Sequence, residues 1–146
     1  MIIEGKNNRQ VLLSLENIEE NTRRGIRAGF FRLGSLMRAN LRRELLNKNK
    51  TGRIYKNVRL RTGGIKRLHR ASGRGQTPAN LSGNYRKNVG FQIRGSQSME
   101  FGVRDGAEYA EFLEDQLNRP GVGNTVKATQ KQAQNFFESS IQAELS

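Results

Sequence analysis

Cysteine is absent from the 146 residues, so the chain has no disulfide framework, no thiol nucleophile and no thiolate metal site. Long apolar runs are also missing. None approaches the roughly 18 residues of a membrane-spanning helix, and the first ten residues lack the apolar stretch of a signal peptide. We therefore expect a protein that is made in the cytoplasm and has no membrane partner.

Residues suited to catalysis are scarce. The single histidine, His69, has no carboxylate near it in sequence to orient it as a general base. One run of carboxylates could gather a divalent ion, but its spacing is more often that of a solvated helix face or of a contact for arginines. That run consists of Glu108, Glu111, Glu114 and Asp115. The glycine-rich segments match no phosphate-binding motif. From these observations together, we expect no enzyme activity, no cofactor and no metal.

Apolar residues make up only 34% of the chain, and the mean hydropathy is −0.76. A chain of this length is expected to fold as one domain, here 1–146. So few apolar residues predict a thin core, or a core completed by neighbouring subunits. The composition therefore favours an oligomer.

Charge is strongly segregated along the chain, whose formal net charge is +13. The stretch from Arg23 to Arg94 contains 20 Lys or Arg residues and one acid, Glu44, while the segments on either side are net acidic. Such a field can concentrate phosphate polymers or steer an acidic protein partner, and the acidic segments could be that partner in a head-to-tail ring. Charge alone does not choose between these partners.

A long helix is the clearest predicted element. Asn17 followed by Glu20 resembles a capping box, so the helix is expected to begin at Ile18 and to stop within 47–52. Apolar residues at spacings of three and four form one stripe, with arginines around the opposite side. The predicted core residues of this stripe are Ile26, Phe30, Leu33, Met37 and Leu41.

Gly25, Gly29 and Gly34 lie inside this predicted helix, where each glycine costs about 1 kcal/mol relative to alanine. They indicate close approach by another backbone or a local bend. Simple tolerance within a helix supported by tertiary contacts is an equal alternative.

The second half of the chain predicts a small sheet and two helices. Residues 54–60 are a possible strand, 61–79 are expected to be a long, mobile, basic loop, and 84–104 alternate as a hairpin with one apolar face that packs on the long helix. A short acidic helix follows, and then a C-terminal helix that Asn124 or Thr125 can cap. The apolar stripe of this last helix is Val126, Ala133, Phe137, Ile141 and Leu145. The sequence therefore predicts an α+β fold. The remaining core residues are expected to be Val89, Phe91, Ile93, Phe101, Val103, Tyr109 and Phe112.

Nucleic-acid binding explains the basic charge directly but lacks supporting motifs. The stretch from Lys48 to Arg74 contains one aromatic residue, Tyr55, so stacking platforms are missing. No base-reading motif accompanies the charge, which limits this function to non-specific attraction for the phosphate backbone. A small nuclease or toxin that uses His69 would need a partner carboxylate.

Six short motifs follow one another along the chain: Thr51-Gly52-Arg53-Ile54-Tyr55-Lys56, His69-Arg70-Ala71-Ser72, Pro78-Ala79-Asn80-Leu81-Ser82-Gly83-Asn84, Met99-Glu100-Phe101-Gly102, Glu108-Tyr109-Ala110-Glu111-Phe112-Leu113-Glu114 and Arg119-Pro120. Their order resembles that of the tail-completion, or head–tail connector, family of tailed bacteriophages. The resemblance extends over about residues 10–146. Each motif is weak alone, and the order and spacing make the match specific.

Two positions depart from the family pattern. Asp115-Gln116 occupies the place of a common Gly-Thr, and Gly121-Val122 follows Arg119-Pro120 where an aromatic-Leu pair is usual. The loop before the last helix is therefore expected to dock differently.

The resemblance implies a long helix against a small antiparallel sheet, and a ring, typically hexameric, in the neck of the virion. Such a ring joins the portal-side connector of the head to the tail terminator or tail tube, and DNA passes through its lumen, where non-specific contact is possible.

Two hypotheses follow from this resemblance. The first is that 61–79 is a docking segment that orders on contact, with contacts from Lys66, Arg67, His69, Arg70 and Arg74. The second is that the arginine-rich surface contacts the acidic residues at 108–115 of the adjacent subunit.

Overall fold

The computed structural model describes the backbone of residues 6–104 and 109–146, and side chains from residue 16 onward except at 105–109 and 111. The chain forms the predicted α+β arrangement, with a long N-terminal helix, a short helix and a C-terminal helix. Its elements are α1 (Lys6–Leu46), β1 (Ile54–Arg59), β2 (Ile65–Arg70), α2 (Asn84–Asn88), β3 (Val89–Arg94), β4 (Ser98–Val103), α3 (Tyr109–Asp115) and α4 (Val122–Leu145). The expected small sheet is two separate antiparallel pairs, β1–β2 and β3–β4. Within the described ranges, every helix is too short or too polar to span a lipid bilayer.

The N-terminal end of α1 differs from the prediction. The helix begins at Lys6 rather than Ile18, so the expected capping box at Asn17 lies inside it. Residues 6–16 contain neither glycine nor proline, and nothing in them stops a helix. The C-terminal end is as predicted: α1 ends at Leu46, and the Asn49 amide then donates to Asn47 Oδ1 at 3.0 Å.

Helices α1 and α4 run antiparallel and approach closely at two glycines of α1. A Cβ atom at Gly25 would lie 2.5 Å from the Cα atom of Ile141, and one at Gly29 would lie 2.5 Å from a ring carbon of Phe137. The ring of Phe30 meets that of Phe137 edge to face, with centroids 4.9 Å apart. Of the alternatives for these glycines, close approach is therefore the one observed.

The core is small and lies where α1 meets β3, α2 and α3. Its fully buried members are Leu41, Leu45, Tyr85, Val89 and Ala110. Of the predicted core residues, Met37, Leu41 and Val89 are buried, whereas Ile26, Phe30, Leu33, Phe91, Ile93, Phe101 and Val103 are half-buried. The side chain of Tyr109 lies outside the described residues.

Phe112 contradicts its predicted place in the core, because 53% of it is exposed. Helical spacing places Phe112 on α3 beside Leu113, and only Leu113 packs against the core. Only one side of this short helix packs against the core, and because Leu113 lies on that side, Phe112 faces solvent.

The stretch before β3 is a helical turn and not the start of a strand. Gly83 adopts a left-handed conformation with φ of 81° and leads into α2, which turns Tyr85 into the core. Residues 84–88 were predicted to alternate as part of the hairpin, and this was wrong because the strand begins only at Val89.

The buried face of α4 is offset from the predicted apolar stripe. The helix begins at Val122, ahead of the predicted caps, and buries the hydroxyl residues Thr125, Thr129 and Ser140, while Val126 and Leu145 are exposed. Each buried threonine bonds back to a carbonyl one turn earlier, as Thr129 Oγ1 does to Thr125 O at 2.9 Å. The threonine hydroxyls are thus satisfied within α4, Ser140 Oγ accepts from Arg32 of α1, and the small side chains allow α1 to pack closely.

Arginines of α1 were predicted to form an open surface, but several fold back onto the protein. Arg32 donates to Ser139 Oγ at 2.7 Å and lies over the ring of Phe136. Arg42 donates to the carbonyl oxygens of Arg86 and Val89 at 3.2 and 3.3 Å. These guanidinium groups hold α4, α2 and β3 against α1, so only part of the arginine set remains for a partner.

Candidate assembly surface

The predicted long loop 61–79 is in large part a β-hairpin. β2 occupies Ile65–Arg70 and pairs antiparallel with β1, with Ile54 opposite Arg70 and Arg59 opposite Ile65. The chain reverses at a short turn in which the Leu60 amide donates to Gly64 O at 2.7 Å. The loop prediction was wrong here because a ribbon exposed on both faces need not alternate apolar and polar residues.

The β1–β2 hairpin carries large apolar side chains that no described part of the chain covers. Ile65 and Leu68 are 63% and 62% exposed, and Ile54 and Tyr55 on the other strand are also exposed. The ribbon packs almost entirely against itself, since its contacts with the helices are marginal. A lone two-stranded hairpin is marginally stable in water, and exposed apolar groups at this density are typical of interaction surfaces.

The base of the hairpin is fixed by the side chain of Gln76. Its Oε1 atom accepts hydrogen bonds from the Gly73 and Thr51 amides at 2.7 and 3.0 Å, and its Nε2 atom donates to Asn49 O at 3.3 Å. One amide group thus joins the segment before β1 to the segment after β2. These hydrogen bonds give 73–76, within the predicted loop 61–79, a defined structure, and the mobility of the loop stays a prediction.

Lys50 makes a second tie at the same place. Its buried ammonium donates to Thr77 O at 2.8 Å and to Glu44 O at 3.2 Å, which fixes the end of α1 to the segment after the hairpin. Burial lowers the pKa of Lys50, and the nearby charge of Glu44 opposes that effect. The lysine acts as an internal tie and is not presented to a partner.

The residues of the predicted docking loop occupy different environments. Arg67, Arg70 and Arg74 are exposed, whereas Lys66 is half-buried and donates to Asn80 O at 3.2 Å. Burial, and then the charge of Lys66, lower the pKa of the half-buried His69 below 6.5, which leaves its imidazole neutral at pH 7. Within the described part of the chain, His69 makes no hydrogen bond to a carboxylate, and no three metal-ligating side chains gather at one point.

A groove of about 710 Å³, which the sequence did not predict, lies between the hairpin turn and α2. Leu60, Leu81 and Tyr85 contribute apolar atoms to its walls, and Arg59, Arg61 and Lys87 lie around it. Pro78, at the start of the segment that forms one wall, is fully buried. The volume lies in the range of sites that hold a large side chain or a small ligand.

The acidic helix α3 presents a mixed surface. Phe112 and Leu117 are exposed, and so is the carboxylate of Asp115. Glu114 turns inward instead, where its two oxygens accept hydrogen bonds from the Val122 and Gly123 amides. The α4 N-terminus of the same chain thus binds this carboxylate, and the role of Glu114 between subunits stays a prediction. Glu108 and the side chain of Glu111 lie outside the described residues.

Comparison of the chain with protein-family models, with curated proteins and with solved structures finds no match in any of the three.

Proposed function

We propose that this chain is a structural component of a tailed-phage neck, which forms a ring that joins the head connector to the tail around the DNA channel. The proposal begins with the order of motifs that resembles the tail-completion family. The α+β arrangement agrees with that resemblance, and Arg67, Arg70 and Arg74 of the predicted docking segment are exposed. In this role the protein is a virion component made in the host cytoplasm, and it works by binding rather than by catalysis.

The exposed β1–β2 hairpin is the observation that supports the proposal most strongly. A protein that acted alone would gain nothing from the exposure of Ile65 and Leu68 on a ribbon with two open edges. In an assembly the same side chains and edges become buried, and their burial stabilises the complex at about 25 cal/mol per Å² of apolar surface. A thin core is also suited to a subunit that is completed by its neighbours.

The direct test is the mass of the purified protein in solution, measured by light scattering and combined with electron microscopy. A DNA-free ring with a central channel, or a ring formed on heads that carry the connector, is the expected result. A chain that neither self-associates nor binds connector-bearing heads would overturn the proposal. The matched variant is Ile65→Ser with Leu68→Ser, which should weaken assembly and leave the helical circular dichroism signal unchanged.

Non-specific nucleic-acid binding is the second candidate, and one observation favours it. Residues 48–99 contain thirteen Lys or Arg residues and no acid, and the hairpin carries several of these cations into solvent. A two-stranded ribbon has the width of a DNA major groove. Against this, Arg53 lies over the ring of Tyr55 at 5.5 Å, so the hairpin's own cation covers one face of its only aromatic side chain.

Salt dependence separates the two candidates. A monomer that binds duplex DNA, with affinity that falls steeply as salt rises, would favour the nucleic-acid function. A ring whose mass is unchanged by added duplex would favour the neck.

A further inference from the structure

We infer that the groove between the hairpin turn and α2 receives α3 of a second copy of this chain, with Phe112 as the apolar anchor and Asp115 beside the cations of the rim. This inference rests on the proposed ring and identifies the two surfaces through which neighbouring subunits would bind.

The groove has an apolar centre and a basic rim. Leu60 and Leu81 contribute apolar surface, while Arg59, Arg61 and Lys87 are exposed around it. Within the described part of the chain, none of these three cations forms a salt bridge. The groove therefore suits an apolar side chain that is accompanied by a negative charge.

The exposed side of α3 has the complementary pattern. Phe112 is 53% exposed, Leu117 is exposed after the helix, and the exposed carboxylate of Asp115 is three residues after Phe112 and so on the same side of the helix. In the described residues Asp115 forms no salt bridge either. An aromatic anchor in a pocket is the usual centre of a protein–protein contact.

Within the described residues, the same chain does not fill its own groove. None of the described lining residues belongs to α3, and Glu114 holds α3 against the start of α4 in the same chain. Because the groove and α3 are different surfaces, each copy can place its α3 in the groove of one neighbour and bind the α3 of another neighbour in its own groove. Such a head-to-tail contact generates a closed ring when the rotation between copies permits it, and an open filament otherwise.

Charge reversal tests the pairing with matched controls. Asp115→Lys and Arg61→Glu should each weaken self-association, and the chain that carries both changes should recover it because the pair is restored with reversed sign. Glu144→Lys and Lys131→Glu change the net charge equally at exposed positions of α4 and should assemble like the wild type. Phe112→Ser should weaken association about tenfold or more. Recovery in the double variant excludes misfolding as the cause of the single losses.

Disulfide crosslinking between engineered cysteines is an independent test of the contact. The sequence contains no cysteine, so any disulfide must join the engineered residues. Ser82 lines the groove and Gln116 follows α3, and both are exposed. An equimolar mixture of Ser82→Cys and Gln116→Cys chains should form disulfide-linked heterodimers on mild oxidation, and a mixture of Glu144→Cys with Ser82→Cys should not.

Each outcome decides the inference. If the wild type forms a ring while the charge variants assemble normally and the cysteines do not join, this contact is wrong and the ring proposal stands. If the wild type is monomeric at every concentration and also forms no ring on connector-bearing heads, both fail. Ring loss in the single variants, rescue in the double variant and the specific crosslink together support the contact.

Discussion

Glu114 and Gly123 are joined by a hydrogen bond of 2.7 Å, from the Gly123 amide to the Oε1 atom of a side chain nine residues earlier. The second carboxylate oxygen accepts from the Val122 amide at 3.2 Å. Gly121, at the N-cap position of α4, has no side chain that could bind these amides. Glu114 therefore caps α4 from another helix and opposes the positive end of its dipole.

Replacement of Glu114 by alanine should destabilise the fold by about 1 kcal/mol, because two amides of the first turn lose their acceptor. Urea unfolding, followed by circular dichroism, measures the change. Asp115→Ala removes the neighbouring exposed carboxylate and should change the stability of the monomer little. Equal losses in both variants would contradict the capping role.

Gly25→Ala should destabilise the protein despite alanine's advantage of about 1 kcal/mol in a helix. The new methyl group would lie 2.5 Å from the Cα atom of Ile141, and a backbone atom cannot rotate away. The two helices must separate, at a cost typical of overpacking, about 1–3 kcal/mol. Arg27→Ala, at an exposed position of the same helix, is the control and should be nearly neutral. A higher melting temperature for Gly25→Ala would show that the helices separate easily.

Lys50 predicts a pH dependence of stability. Because burial lowers its pKa below 10.5 in the folded state, the unfolded chain binds more protons as the pH approaches that value. Stability of the wild type should therefore rise relative to Lys50→Met as the pH increases from the lowered folded-state pKa towards 10.5. Denaturant midpoints of the two proteins across this range measure the difference. A constant gap would mean that Lys50 titrates alike in both states.

The exposed ion pair between Arg94 and Glu100 should stabilise the fold slightly, and this contribution should be lost in acid. Two hydrogen bonds of 2.9 and 3.1 Å from Arg94, and then its charge, lower the pKa of Glu100 below 4.5. The contribution of the pair is present above pH 4.5 and is lost as the pH falls through the lower, folded-state pKa.

Glu100→Gln should therefore differ slightly from the wild type at neutral pH and converge with it in acid and in high salt. Glu144→Gln, which changes an exposed acid on α4, is the control. A difference that persists in acid would have to come from packing and not from the ion pair.

Local patterns predicted the elements that bury one face. The apolar stripe of α1 and the alternation in β3 and β4 could be predicted because each of these elements has one buried and one exposed side. The end of α1 at Leu46 could be predicted from the residues at 47–52. The start of α1 was missed because Asn17 and Glu20 match a capping box in sequence, while the helix passes through them.

The candidate surfaces were harder to predict because they depend on tertiary placement. β2 has no buried face, so its residues lack the periodicity of a strand. The groove forms only when the turn at Leu60 lies near α2. Phe112 and Leu113 are adjacent in sequence, and nothing in their order shows which one the core accepts. The basic charge of 61–79 could be predicted from the sequence, but the grouping of its side chains around the groove could not.

The pairing of α1 with α4 also affects how the chain folds. These helices lie at opposite ends of the sequence, so their contacts close a long loop and give the fold a high contact order. During synthesis the glycine-containing face of α1 leaves the ribosome well before Phe137 and Ile141 exist to cover it. The nascent chain therefore carries an uncovered apolar helix until α4 emerges, and it is most prone to aggregation in that interval.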